Sequence, residues 1–184
     1  MKKYSILILA LIIALMAVGC QKPLKGNDQG EPHPGDTIIT PDPQGETVEL
    51  TLYFANTEYA MTGDEKLEKL LTEKRQVTVT NKSLAETAME ELIKGPEGED
   101  ASEVIPSKVE LISVEVADNI AYVNFSSTNM GGGSLQEYYL IDSVIMTLTE
   151  LEDINAVQFL VDGKKTESLM GHIYTMDPMG RNGQ

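Results

Sequence analysis

The chain predicts an α/β fold of the α+β type, a two-layer sandwich in which two main helices cover one face of a mixed β-sheet, in the order β-β-α-β-β-α-β. Two observations carry this. Apolar and polar residues alternate through the predicted strands, and strict alternation marks a sheet with one wet face, because a sheet covered on both sides reads as continuous apolar runs. Two other segments carry apolar residues at helical spacing, and each opens on a Ser-x-x-Glu signature. Helices kept to the dry side of a sheet give two layers.

The first strand starts at Val48, with Val48, Leu50, Leu52 and Phe54 on one side and Glu49, Thr51 and Tyr53 on the other. A polar loop with Gly63-Asp64 leads to a short helical or irregular piece around Leu67 to Leu71, then to a second strand near Arg75 to Thr80. Ser83-Leu84-Ala85-Glu86 fits a capping box and Gly95-Pro96 stops the helix it opens, with Leu84, Ala85, Ala88 and Leu92 as its apolar stripe. Two strands follow, Val109 to Val116 and Ile120 to Phe125, joined by Asp118-Asn119 as a tight turn. Alternation points Ile112, Val114, Val116, Ala121, Val123 and Phe125 inward. After Gly131-Gly132-Gly133, a second capping box at Ser134-Leu135-Gln136-Glu137 opens a helix to about Leu151, with Ile141, Val144, Ile145, Leu148 and Leu151 facing the core. The last clear strand runs from Ala156 to Val161 and is closed by Asp162-Gly163.

The domain is expected over 47–175, followed by a loose tail at 176–184. Residues 1–20 read as a lipoprotein signal peptide: Lys2-Lys3, a thirteen-residue apolar run from Ile6 to Val18, then Gly19-Cys20. A run of that length suits a signal h-region and falls short of the ~20 residues a spanning helix needs. Ala17-Val18-Gly19-Cys20 resembles a bacterial lipobox, with Ala17 where Leu is usual, and makes Cys20 the lipid attachment site. An ordinary cleaved signal peptide or an uncleaved anchor helix are the alternatives. Residues 21–46 hold five of the eight prolines and almost no apolar residues, the composition of a tether that buries too little surface to fold.

The formal charge is −15. Cleavage before Cys20 would remove Lys2 and Lys3, leaving 12 basic against 29 acidic residues and a charge of −17. Nucleic acid phosphates and anionic headgroups reward clustered Lys and Arg, so nucleic acid is excluded as a partner. The expected membrane contact is the lipid on Cys20. The same charge opposes close packing of identical copies at low salt, so self-association stays open only as a salt-dependent property. Cys20 is the one cysteine, so the fold relies on its core rather than on disulfides.

No constellation for catalysis stands out. A zinc site needs three or four organised ligands; the predicted domain offers only His172, and His33 lies in the tether between two prolines. Gly98-Glu99-Asp100 lacks the alternating register of a calcium loop. The triple glycine precedes a helix N-terminus but lacks the Lys of a P-loop and the spacing of a dinucleotide fingerprint. No enzyme, cofactor or metal is expected. The wet sheet face would present Thr51, Tyr53, Glu115, Tyr122, Asn124 and Gln158, while Tyr139 and Met146 fall away from the core stripe of the second helix with Asp142 between them. Tyr53, Tyr122, Asn124, Tyr139 and Met146 are therefore the candidate interaction surface.

Leu52-Tyr53-Phe54, then Glu73, Arg75 and Val77, Leu92-Ile93-Lys94-Gly95-Pro96 and Ile105-Pro106 occur in an order that matches a known family. So do Ala121-Tyr122-Val123-Asn124-Phe125, Thr147-Leu148-Thr149-Glu150 and Val157-Gln158-Phe159-Leu160-Val161-Asp162-Gly163. On these residues, over roughly Val48 to His172, the chain resembles the GerMN domain of sporulation and spore germination lipoproteins. The resemblance implies a non-enzymatic envelope protein, similar in organisation to ring-building motifs of secretion-type assemblies, with no catalytic residues to carry over. The family's sporulation namesake has two such domains in tandem where this chain has one and a long tether. The expected function is a lipid-anchored scaffold or protein-interaction domain on the outer face of the cytoplasmic membrane, tied to sporulation, germination or envelope assembly, with an unidentified envelope protein as partner. The alternative is a lipoprotein that binds a small ligand or wall fragment, with the Gly131–Gly133 loop as a lid.

Overall fold

The computed structural model describes residues 45–181; the apolar leader, Cys20, the tether with His33 up to residue 44, and residues 182–184 lie outside the described residues. From Glu46 the elements are β1 (Glu46–Asn56), α1 (Thr57–Thr62), β2 (Leu70–Val79), α2 (Leu84–Ile93) and β3 (Ala101–Ser102). They continue as β4 (Leu111–Ala117), β5 (Ile120–Phe125), α3 (Ser134–Leu148), β6 (Ala156–Val161) and β7 (Lys164–Lys165). The order of the long elements is the expected one; β3 and β7 are additions.

The single sheet is corrected to two, ordered β2-β1-β3 and β4-β5-β6-β7. The second is mixed, since β5 and β6 run parallel with α3 between them in the chain, while its other pairs are antiparallel. The division follows from what β1 does with its two edges. One pairs with β2 along its length, whereas the other meets β3 only at Ala55 and Asn56. Beside that short pairing Thr147 Oγ1 of α3 accepts the Tyr53 N–H at 3.2 Å, so a helix stands where a continuous sheet would need another strand. α2 packs on β1, β2 and β4, and α3 on β1, β6 and α2. Both helices thus bridge the sheets over one core, built around Leu50, Leu52, Phe54, Met89, Leu92, Val123, Phe125, Leu148 and Phe159.

Local chemistry explains the turns. Asp118 and Asn119 have φ of 52° and 60°, and Asp162 and Gly163 have 49° and 75°; paired positive φ values are what a two-residue I′ hairpin requires. Ser83 Oγ accepts the Glu86 N–H at 3.0 Å, the forward half of the expected capping box. At α3 the expectation fails: the N-cap is Gly133, and no side chain caps the helix.

Other expectations are corrected. The helical piece lies at Thr57–Thr62, capped by Asn56 Oδ1 at the N–H groups of Glu58 and Tyr59, while Leu70 and Leu71 already belong to β2. Ile112 points outward, 50% exposed, and Val116 keeps the face of Val114, opposite Ala121, yet is 43% exposed near the end of β4. A register irregularity between Leu111 and Ser113 interrupts the alternation that would have turned Ile112 inward. The tail from Met176 is docked as far as Arg181 rather than loose, because Met179 exchanges both backbone hydrogen bonds with Val157 at 2.9 and 2.8 Å.

Candidate interaction surface

The residues assigned to one wet face are divided between two sheets and are largely engaged within the domain. Tyr53 is half-buried; its hydroxyl donates to Glu150 Oε1 at 2.6 Å, and the Arg181 guanidinium lies 5.8 Å from its ring centre. Arg181 also donates to Glu150 at 2.5 Å and to the Met146 carbonyl at 2.9 Å. Burial first, then the Glu150 hydrogen bond, raises the Tyr53 pKa, and Tyr53 and Arg181 together lower that of Glu150. Tyr53 and Met146 thus belong to one cluster, clamped by the tail.

Tyr122 and Asn124 share a face of β5. Tyr122 is half-buried, but Asn124 is buried and its Oδ1 accepts the Gly163 N–H at 2.8 Å. Gln158 is fully buried and donates to the Thr175 carbonyl at 3.0 Å. Asn124 and Gln158 therefore leave the open face. The expected exposure of Tyr139 is also corrected: it is buried, with its ring edge-on to Tyr138 at 5.5 Å and its hydroxyl without a partner among the described residues. The reason is the position of α3, which bridges the sheets and buries residues well beyond one stripe, including Glu137, Ser143 and Thr147.

Glu137, read from sequence as a helix cap, instead holds the segment after β7. Its Oε1 accepts from Ser168 Oγ at 2.5 Å and from the N–H groups of Leu169 and Met170 at 2.9 and 2.8 Å. Oε2 accepts the N–H groups of His172 and Ile173 at 2.8 and 3.2 Å. The residue has no exposed surface. Burial is the largest influence on its pKa and raises it, but the hydrogen bonds from Ser168, Met170, His172 and Leu169 outweigh burial and hold the carboxyl below its ordinary value. The same segment restrains the triple glycine, since His172 Nε2 lies 3.2 Å from the Gly132 carbonyl.

A second network closes the end of α2. Arg75, its side chain 8% exposed, donates through Nη1 to the Glu91 carbonyl at 3.0 Å, and through Nη2 to the Gly95 carbonyl at 2.6 Å and to Glu73 Oε2 at 2.8 Å. Glu73 in turn accepts the N–H groups of Glu97 and Gly98 at 3.0 and 2.9 Å. A guanidinium on terminal carbonyls is favourable both as a hydrogen bond and with the helix dipole. Glu73, Arg75 and Gly95, quoted separately from the sequence, are one structural unit.

Beside this unit runs a polar groove of about 600 Å³ between β2 and α2, with Lys74, Lys82 and Lys94 at its walls. β2 is an edge strand. Because the Asn56 N–H bonds the Lys69 carbonyl at 3.0 Å, antiparallel alternation directs the main-chain groups of Leu71, Glu73, Arg75 and Val77 to β1 and those of Thr72, Lys74, Gln76 and Thr78 outward. Among the described residues, no group of three or more His, Cys, Asp or Glu side chains is placed to hold a metal ion.

Residues 51–167 match the family model Germane, described as sporulation and spore germination. The first GerMN domain of the Bacillus subtilis sporulation protein GerM is similar in fold, with TM-score 0.60 and 20% identity over 74% of this chain and 99% of that one. The tandem GerMN domains of the same protein give 0.56 and 21% over 79% of this chain and 49% of that one, so this chain spans about half of the tandem. A Clostridium perfringens protein described as a lipoprotein gives 0.51 and 24% over 74% of this chain and 89% of that one. At these identities the likeness is one of fold. No curated protein matches the chain by sequence.

Proposed function

The chain belongs to the GerMN (Germane) family of sporulation and spore germination domains, and from that premise we propose that it is a membrane-anchored scaffold on the outer face of the cytoplasmic membrane. The family's domain is non-catalytic. In this reading residues 1–20 are a leader, Cys20 carries the lipid, 21–46 form a tether, and the domain at 47–175 takes part in sporulation, spore germination or envelope complex assembly. Tyr122, Tyr53 and Met146 are the parts of the candidate surface that still reach solvent. The observation that carries the proposal is a GerMN domain placed behind a lipobox-like leader in a chain of charge −15, which a lipid, rather than electrostatic attraction, would hold at an anionic membrane.

Two measurements test it. Intact mass of the membrane-extracted protein should show cleavage before Cys20 and a diacylglyceryl adduct, and Cys20→Ala should move the protein out of the membrane fraction. Crosslinking in intact cells should recover a discrete envelope protein. A full-length, unlipidated chain in the cytosol would end the anchoring proposal, and a failure to recover any partner would end the scaffold proposal.

A second reading, binding of a small ligand or wall fragment, is favoured by a mainly apolar hollow of about 430 Å³ at Ala55, Val104, Gly133, Leu135 and Tyr139. A thermal-shift screen with muropeptides tests it; a ligand at about 100 Kd would add about 2.7 kcal/mol, and no shift with any muropeptide would dismiss it.

A further inference from the structure

From the edge of β2, unpaired among the described residues, and the charge beside it, we infer that this domain takes up an extended, acidic segment of another polypeptide as an added strand. The inference rests on the scaffold reading and names the chemistry of the partner. Edge strands are ordinarily guarded by brevity, bulges, prolines, inward charges or charged side chains on the edge, lysine above all. β3 and β7 are two residues long, and β4 carries a register irregularity. β2 has ten residues, no proline and an unbroken register with β1; its guards are charges, Arg75 turned inward onto the end of α2 and Lys74 exposed at the edge, and a lysine that repels a cationic strand attracts an acidic one. Its outward main-chain groups at Thr72, Lys74, Gln76 and Thr78 make no hydrogen bond to other described residues. They offer four donors and four acceptors in a row.

The groove has the dimensions of a single strand. Its β2 wall, Lys74 to Thr78, spans about 17 Å at the usual rise per residue, and its volume of about 600 Å³ suits four or five extended residues. The opposite wall is α2, so an added strand would bond its main chain to the sheet edge while alternate side chains meet the helix.

Charge selects the occupant. Residues 45–181 contain 10 basic and 25 acidic side chains, yet the groove gathers four of those basic groups, Lys74, Arg75, Lys82 and Lys94, against three acids. Arg75 is committed to Glu73, Glu91 and the end of α2. The three lysines are exposed and, among the described residues, paired with Glu49, Glu90 and Glu91; the pairs of Lys74 with Glu49 and Lys82 with Glu90 are exposed on both sides, and such pairs are weak enough to exchange for a carboxylate brought by a partner. On a strongly acidic protein this is where an acidic strand is tolerated.

The test is deuterium exchange on the full chain in detergent, with a capped heptapeptide of alternating threonine and glutamate as the probe. At about ten times its Kd the peptide should slow exchange across Lys74–Thr78 about tenfold. Gln76→Pro removes one outward N–H without touching the β1 ladder, a substitution edge strands accept; it should abolish the protection while the circular dichroism and melting temperature stay unchanged. If Gln76→Pro does not fold, the same peptide N-methylated at alternate amides replaces it and should fail to protect. Equal protection by a lysine-containing analogue would overturn the inference, as would no protection at millimolar peptide. So would protection that grows with protein concentration without peptide, which would assign the edge to a second copy. Recovery of a cellular partner through other surfaces while β2 stays unprotected would overturn strand addition and leave the scaffold reading standing.

Discussion

Glu137 Oε2 accepts the backbone N–H of His172 at 2.8 Å across 35 residues of chain. With its other four hydrogen bonds this makes one buried carboxylate the anchor of the segment Ser168–Ile173. Glu137→Gln keeps the shape but replaces one acceptor oxygen by a donor aimed at N–H groups. It should cost about 2–4 kcal/mol, read as a lower urea midpoint, with faster amide exchange at 168–173. A midpoint within experimental error of the parent would show that the cradle is incidental.

Acid should unfold the domain through the same group. Glu137, Glu73 and Glu150 are all held below the ordinary Glu value of 4.5. In Glu137 and Glu73 burial opposes the shift and hydrogen bonds exceed it; in Glu150 the Tyr53 and Arg181 bonds lead. A depressed folded-state pKa means that the unfolded chain binds more protons, so the stabilisation is complete above about 4.5 and is lost as pH falls through the folded-state values. Urea midpoints should therefore drop steeply below about pH 4.5 in the parent and less steeply in Glu137→Gln. Parallel curves for the two proteins would exclude Glu137 as a contributor.

Arg75 provides the third test. Arg75→Met removes the donor shared by the Glu91 and Gly95 carbonyls and strands Glu73 beside them, at a cost of about 3–5 kcal/mol. Arg75→Lys restores the charge but not the fork and should recover only part of that loss. The comparison is made by denaturant titration. Full rescue by Lys would mean that charge alone matters and that the paired carbonyl contacts contribute nothing.

What was legible in the sequence was whatever depends on neighbours in the chain. Leu50, Leu52 and Phe54 are buried as alternation requires, the Asp118-Asn119 and Asp162-Gly163 turns take positive φ, and Ser83 caps α2. What was hidden depends on distant partners. Glu137 carries the same local signature as Glu86, and only the approach of Ser168–Ile173 distinguishes them. Arg75 alternates in phase with Val77 and so occupies a core-facing position, which a charged residue can hold only because Glu73 and the end of α2 receive it. The register irregularity that exposes Ile112 leaves no composition signal. The division into two sheets follows from Thr147 reaching the Tyr53 N–H, a contact between residues 94 apart.

That contact also decides how the candidate surface can be probed. Tyr53 is packed under Arg181 and bonded to Glu150, so Tyr53→Lys places a second cation against the guanidinium and removes a hydrogen bond. It should destabilise the domain by about 1–2 kcal/mol and release the tail at Arg181 to proteolysis. Tyr122 is half-buried on β5 opposite Glu115, where a lysine can lay its stem on the sheet and bring its charge to water. Tyr122→Lys should therefore leave the urea midpoint within about 0.5 kcal/mol of the parent and report on partner contact alone. A partner crosslink lost with Tyr122→Lys would place the interface on β5. A crosslink lost only with Tyr53→Lys would follow from unfolding of the clamp, and a crosslink retained in both would remove this face from the scaffold's working surface.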